Sequence, residues 1–203
     1  MTASPLVHPE TDTRGRIVET AERFFREIGY QKTTVADIAK ALRMSPANVY
    51  RFFESKKAIN EAVAERMLAN VEEQLEAIAT GPGSAAERLR TFIETYHRLS
   101  VDRFTENHRM HEMVEVAMTE SWAVIQAHIE RTDAFFRRIV GDGAASGEFT
   151  AVPDIAVSAR CAHVALIRYI HPQLLVQCIE GQAPALSAMA DFVLAGLGYR
   201  ATP

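Results

Sequence analysis

Apolar residues return every three or four positions along most of this chain, and they seldom alternate. That is the period of helices buried along one stripe. Ile17, Ala21, Phe24, Phe25 and Ile28 form the first stripe, closed by Gly29. Val35, Ile38, Ala39 and Leu42 form a second, and Val49, Phe52 and Phe53 a third. A longer helix is expected from Ser55 to Thr80, where TGPGS breaks it. Further helices are expected over 84–100, 104–119, 121–140, 153–179 and 184–200, with GDGAASGEF at 141–149 as the clearest internal break. No run alternates well enough to make a strand, and no repeat or low-complexity segment interrupts the pattern. Residues 1–12, rich in Pro, Thr and acids, read as a disordered tail.

One stretch departs from the long helices. TVADIAKALRMSPANVYRFF holds two short apolar-periodic segments with only Arg43 and Met44 left to turn the chain. Thr34 stands three residues before Asp37, a capping-box start. Ser45 caps the next segment, and Pro46 takes the first helical position, where a missing N–H costs nothing. Two short helices joined so tightly must cross steeply, as in a helix-turn-helix. The second helix, Ser45–Phe52, then keeps Val49 and Phe53 inside and turns Pro46, Ala47, Asn48, Tyr50 and Arg51 outward. Small residues at its start let the backbone approach a groove floor. Asn48 and Arg51 suit base edges, Tyr50 suits a phosphate oxygen, and Lys56 and Lys57 suit the DNA backbone as point charges. Thr34 and the first turn behind it offer a hydroxyl and N–H groups to another phosphate. The alternative is a plain helical corner with solvated charges.

The segment TTVADIAKALRMSPANVYRFFESKKAI resembles the DNA-binding segment of the TetR family of bacterial one-component regulators. Thr34, Ile38, Ala39, Ser45, Tyr50, Phe53, Ser55 and Lys56 match its pattern, and RIVETAERFFREIGY is similar to the family's first helix. The likeness spans residues 14–60. Arg43 stands where the family often has glycine, and Ala47–Asn48 replace a frequent Gly-Thr pair. The periodicity already predicts an all-α protein of about nine helices, and the resemblance agrees. A three-helix helix-turn-helix DNA-binding domain would occupy 13–60, and a helical domain for effector binding and dimerisation would occupy 61–203. It further implies a sequence-specific regulator, a repressor released from a palindromic operator by a small molecule.

Charge and composition sharpen this picture. Residues 1–60 hold ten Lys and Arg against seven acids, while the remainder holds twelve against nineteen. A basic head on an acidic body suits a segment that meets a polyanion. The N-terminus carries no apolar leader, and Arg160, Arg168 and Pro172 interrupt the one charge-poor run, so no membrane partner is expected and the cytoplasm is the expected location. Cys161 and Cys178 lack metal-type spacing and read as buried free thiols. The helices at 153–179 and 184–200 are apolar nearly all round, with Asp191 the one acid of the last. A second copy covering them gives a homodimer.

The effector site is less defined. His108, His111 and Glu115 share one helix face, and His128 and His163 lie on later helices. Three readings stand: histidines that merely cap or hydrogen-bond in a wet cavity; a polar organic effector held by His111, Glu115 or His163 beside Trp122, Met110, Met113 and Met118; or a metal-responsive repressor using His108, His111, Glu115 and His163. No cofactor and no catalytic residue is expected, since the chain has no Gly-rich phosphate loop, G-x-S-x-G or H-E-x-x-H. A metal-dependent helical-bundle hydrolase or oxygenase built on the His/Glu group is the remaining enzyme reading.

Overall fold

A computed structural model of the chain describes residues 9–105, 119, 122–171, 174–175 and 184–200. Eight helices run through them: α1 Pro9–Ile28, α2 Val35–Ala41, α3 Pro46–Tyr50, α4 Lys56–Ala79, α5 Ala85–Thr105, α6 Trp122–Ser146, α7 Ile155–Ile170 and α8 Leu186–Gly196. The described residues contain no strand, and no helix among them is long and apolar enough to cross a membrane.

The chain divides into two compact units, with one division inside α4 between Met67 and Leu68. The first unit has its own core. Ile17, Ala21 and Phe25 of α1 pack with Val35, Ile38 and Ala39 of α2, Val49 of α3, and Ile59 and Val63 of α4. Phe25 meets Tyr30 edge to face at 5.3 Å between ring centroids. The second unit collects Val71, Leu75 and Ala79 of α4 with the inner faces of α5, α6, α7 and α8 around Phe92 and Phe136, whose rings lie 4.8 Å apart. The stripes of α1, α2 and α3 supply the first core, apart from Ile28, which is exposed by 41%. The helix expected over 104–119 falls largely outside the described residues.

Four expectations change. α1 opens at Pro9, so the helix takes in four residues assigned to the tail; a proline in its first turn forfeits no helical hydrogen bond. α7 stops at Ile170, nine residues short of the expected 179. His171 precedes Pro172, and the proline ring excludes the helical conformation from the residue before it; His171 is extended, with φ −79° and ψ 124°. Cys161 is exposed, because it lies on the outward face of α7 with Val157 and Val164. Cys178 lies outside the described residues.

The fourth change concerns Gly141 and Gly143, which do not break α6; the helix continues through both to Ser146. Gly143 is there for packing. A Cβ at this position would stand 2.2 Å from Phe149 Cδ2 and 2.9 Å from the Ala85 side chain. The stop is Gly147, with a left-handed φ of 80°. Just beyond it, the Glu148 carboxylate accepts from the backbone N–H groups of Ala85 and Ala86, both at 3.1 Å, and so caps α5 from a distant part of the chain. Burial would raise the Glu148 carboxyl, but these two bonds, Ser146 and nearby Arg88 outweigh it and hold the group below the ordinary glutamate range.

Gly143→Ala is expected to destabilise the second unit by about 1–3 kcal/mol, the range for forced overpacking. Gly15→Ala, with nothing within 4 Å of the new methyl in α1, is expected to stabilise by about 0.4–1 kcal/mol. Thermal melts of the two variants check both signs.

Candidate nucleic-acid interface

The α2–α3 segment is built from caps. Thr34 Oγ1 accepts from the Asp37 backbone N–H at 3.1 Å, while Asp37 Oδ2 accepts from the Thr34 N–H at 2.9 Å and from its hydroxyl at 2.6 Å. These bonds hold the Asp37 carboxyl below the ordinary aspartate range. Ser45 Oγ accepts from the Asn48 N–H at 3.2 Å and opens α3 at Pro46. Thr33, fully buried, donates its hydroxyl to the Gly29 carbonyl at 2.8 Å and closes the loop after α1.

The turn between the helices is a Schellman motif. Met44 N–H bonds to the Ala39 carbonyl at 2.9 Å, and Arg43 N–H to the Lys40 carbonyl at 3.1 Å. The geometry requires a left-handed residue at Arg43, which has φ 56°. A left-handed conformation costs a residue with a Cβ about 1–2 kcal/mol. The departure from glycine seen in the sequence is thus a strained position.

The expected site residues fall on two sides. Val49 and Phe53 are buried, as the packed face requires. Thr34, Ser45, Pro46, Ala47, Tyr50 and Arg51 are exposed and Asn48 is half-buried; Tyr50 is exposed by 51% despite its ring. Arg51 forms the C-cap of a helix of only five residues, so the outward helix is shorter than Ser45–Phe52. Lys57 is exposed, with Glu61 4.0 Å away. Lys56 differs from the other basic residues here: its ammonium stands 4.2 Å over the Tyr30 ring and donates to the Gln31 carbonyl at 3.3 Å. Burial pushes its pKa below the ordinary lysine value. Lys56 therefore holds the α1–α2 loop to α4, a task no sequence spacing announced.

The second unit carries a polar interior. Glu72 of α4 accepts from His128 Nδ1 at 2.7 Å and from Arg131 Nε at 2.6 Å. His128 Nε2 faces the Tyr96 hydroxyl at 3.1 Å. A carboxylate only accepts, so His128 Nδ1 carries a proton and donates it to Glu72. Burial would raise the Glu72 carboxyl, but its bonds to His128 and Arg131 outweigh that and hold it low. A second set repeats the pattern: Asp133 accepts from His163 Nδ1, and Arg160 reaches its other oxygen at 2.7 Å. His163 also stacks on Phe136, centroids 5.0 Å apart. A groove of about 480 Å³ between α6 and α7 has Asp133, Arg137 and Arg160 in its wall.

Of the expected effector residues, His163 is thus buried in a pair with Asp133. His108, His111 and Glu115 lie outside the described residues, as does Trp122 beyond its backbone. Among the described residues no three His, Cys, Asp or Glu side chains converge to hold a metal. Glu72, Tyr96, Asp133 and Arg160 were missed. Their signal was available in part, since Asp133 interrupts the otherwise apolar face of Phe136 and Ile139.

Comparison with known proteins decides the family. The model of bacterial regulatory proteins of the tetR family matches residues 17–63, and that of the tetracyclin repressor-like C-terminal domain matches 85–188, half of the chain by itself. The chain belongs to the TetR family. It is a DNA-binding transcriptional regulator and not an enzyme. Regulators of the TetR family bind DNA operators and effectors and act as dimers. Among curated relatives, the probable HTH-type transcriptional regulator YttP of Bacillus subtilis is 19% identical over 178 residues, covering 85% of this chain and 84% of its own. The HTH-type transcriptional repressor NemR of Escherichia coli is 26% identical over 101 residues, 49% of each chain. Among solved structures, a TetR/AcrR-family regulator from Thermobifida fusca superposes with a TM-score of 0.61 at 24% identity, covering 94% of this chain and 100% of that one. RolR in complex with resorcinol gives 0.63 at 19%, over 94% and 90%. At these identities the structures establish the TetR fold.

The polar interior makes stability depend on pH. Burial pushes the His163 pKa below its ordinary 6.5, against the opposing pull of Asp133. The unfolded chain then binds a proton that the folded chain resists, so stability is full above about pH 6.5 and falls as the pH drops below it. Urea unfolding between pH 7 and 5 is expected to show this slope, and His163→Gln to flatten it.

Proposed function

We propose that the protein is a homodimeric repressor, released from a two-fold symmetric operator by a small organic effector. The observation that carries this is the doubly capped α2–α3 corner, which buries Val49 and Phe53, turns Tyr50 and Arg51 to solvent and leaves Asn48 half-exposed. In this reading residues 13–60 meet DNA and 61–203 bind effector and partner, working in the cytoplasm. α3 enters the major groove. Asn48 and Arg51 read base edges, while Pro46 and Ala47 allow close approach; Thr34, Ser45, Tyr50, Lys56 and Lys57 hold phosphates.

The dimer forms through α7 and α8. Val157, Cys161 and Val164 repeat at four and three residues on the outward face of α7, with Ile167 one turn on, and Phe192 of α8 is 70% exposed. Such a continuous apolar face supports burial against the same face of a second copy. The effector is read as organic, in keeping with the resorcinol bound to RolR and the stearoyl-CoA bound to FadR of Bacillus subtilis. His111, Glu115, Trp122 and His163 are its proposed contacts. α4 contributes to both cores and carries Glu72, which makes it the lever between effector and DNA. Moving occupancy from 99:1 to 1:99 requires about 5.5 kcal/mol of preference for the released state.

DNase footprinting upstream of the gene tests the reading. A protected, two-fold symmetric site is expected, and uniformly weak, salt-labile binding would sink it. Arg51→Ala is expected to cost about 1–3 kcal/mol and to relax specificity at one position, measured across single-base operator variants. Lys57→Ala is expected to weaken all sequences alike and lower the salt slope by about one. Lys56→Ala is expected to do the same and also to lower the melting temperature, since it frees the Gln31 loop. Phe192→Asp with Val164→Asp is expected to give monomers by sedimentation velocity; an intact dimer would refute the α7–α8 interface.

A further inference from the structure

Five described residues have positive φ, and four are glycines: Gly29, Gly83, Gly147 and Gly198. Arg43 is the exception. The comparison with Gly198 is direct, because α8 ends in the same motif as α2. Gly198 N–H bonds to the Ala195 carbonyl at 2.9 Å and Tyr199 N–H to the Leu194 carbonyl at 3.0 Å, matching the bonds of Arg43 and Met44. The chain thus uses glycine for this geometry at α8 and arginine at α2. Strain held at an exposed position points to a use for the side chain.

That side chain is idle within the fold. Arg43 is exposed, and its guanidinium makes no hydrogen bond, ion pair or ring contact among the described residues. The acid nearest in the same motif, Asp37, is occupied by Thr34. Residues 32–57 hold six Lys and Arg against two acids, so the surroundings repel a cation and attract a polyanion. Arg43 stands two residues before Ser45, the N-cap of α3, at the tip of the turn.

We infer that Arg43 is a DNA-contacting residue whose guanidinium binds a backbone phosphate flanking the groove that α3 enters. The inference rests on the reading of α2–α3 as the DNA-binding element and extends it to a residue outside the family's pattern. A contact of this kind sets affinity and register, while base choice stays with α3.

The test uses the full-length protein and an operator duplex selected by the wild type from a random-sequence pool. Arg43→Gly relieves the left-handed strain and removes the charge, so two readouts should move in opposite directions. Its melting temperature is expected to rise. Its operator affinity is expected to fall about three- to tenfold near physiological salt, with the slope of log affinity against log salt reduced by about one. Arg43→Lys, which keeps the charge, is expected to retain the wild-type slope. Arg43→Gly with unchanged affinity and slope would overturn the inference. So would a lower melting temperature with unchanged slope, which would make Arg43 a capping residue for α2. A wild type that enriches no duplex would overturn the helix-turn-helix reading first, and this inference with it.

Discussion

A helix of five residues cannot hold itself together. Nucleation fixes several dihedral angles before the first hydrogen bonds form, and isolated helices below about a dozen residues are marginal even in favourable sequences. α3 exists because its surroundings impose it. Ser45 supplies its first acceptor, Pro46 arrives with its φ already set, and Val49, with no exposed surface, is buried among α1, α2 and α4. The outward face is therefore free of structural duty. Asn48, Tyr50 and Arg51 could change without unfolding the helix, whereas Val49 could not. That separation leaves the outward residues open to change while the fold stays the same.

The second unit handles its polar groups by a repeated device. Each buried carboxylate takes one histidine and one arginine: Glu72 has His128 and Arg131, and Asp133 has His163 and Arg160. Removing one partner of a buried pair is far more damaging than replacing the pair with apolar residues, by about 3–5 kcal/mol. Each carboxylate and histidine is buried, while Arg131 and Arg160 remain about half exposed and carry the charge toward solvent.

What the sequence disclosed follows from how local each signal is. Thr34, Ser45 and Pro46 act within three residues of themselves, and both caps and the proline were legible. The long apolar stripes were legible for the same reason. Gly143 was misread as a breaker because its neighbour, the Phe149 ring, reaches it through the chain's return, which no window around the glycine contains. The Asp133–His163 and Glu72–His128 pairs join residues 30 and 56 apart, so neither periodicity nor spacing could match them. Lys56 was assigned to DNA on its charge and its match to the family's pattern; its contacts to Tyr30 and Gln31 needed coordinates.

The same difference in range bears on the order in which the protein forms. In the first unit, the caps and core of residues 17–63 join near neighbours in the chain. The second unit ties Ala85 to Glu148, and Arg90 to Asp191 across 101 residues. Local contacts close quickly, while distant ones wait for a costly loop, and synthesis runs from the N-terminus. The α2–α3 corner can therefore mature on the ribosome while α7 and α8 are still unmade. Val157, Val164 and Ile167, exposed apolar residues of α7, are among the last to emerge.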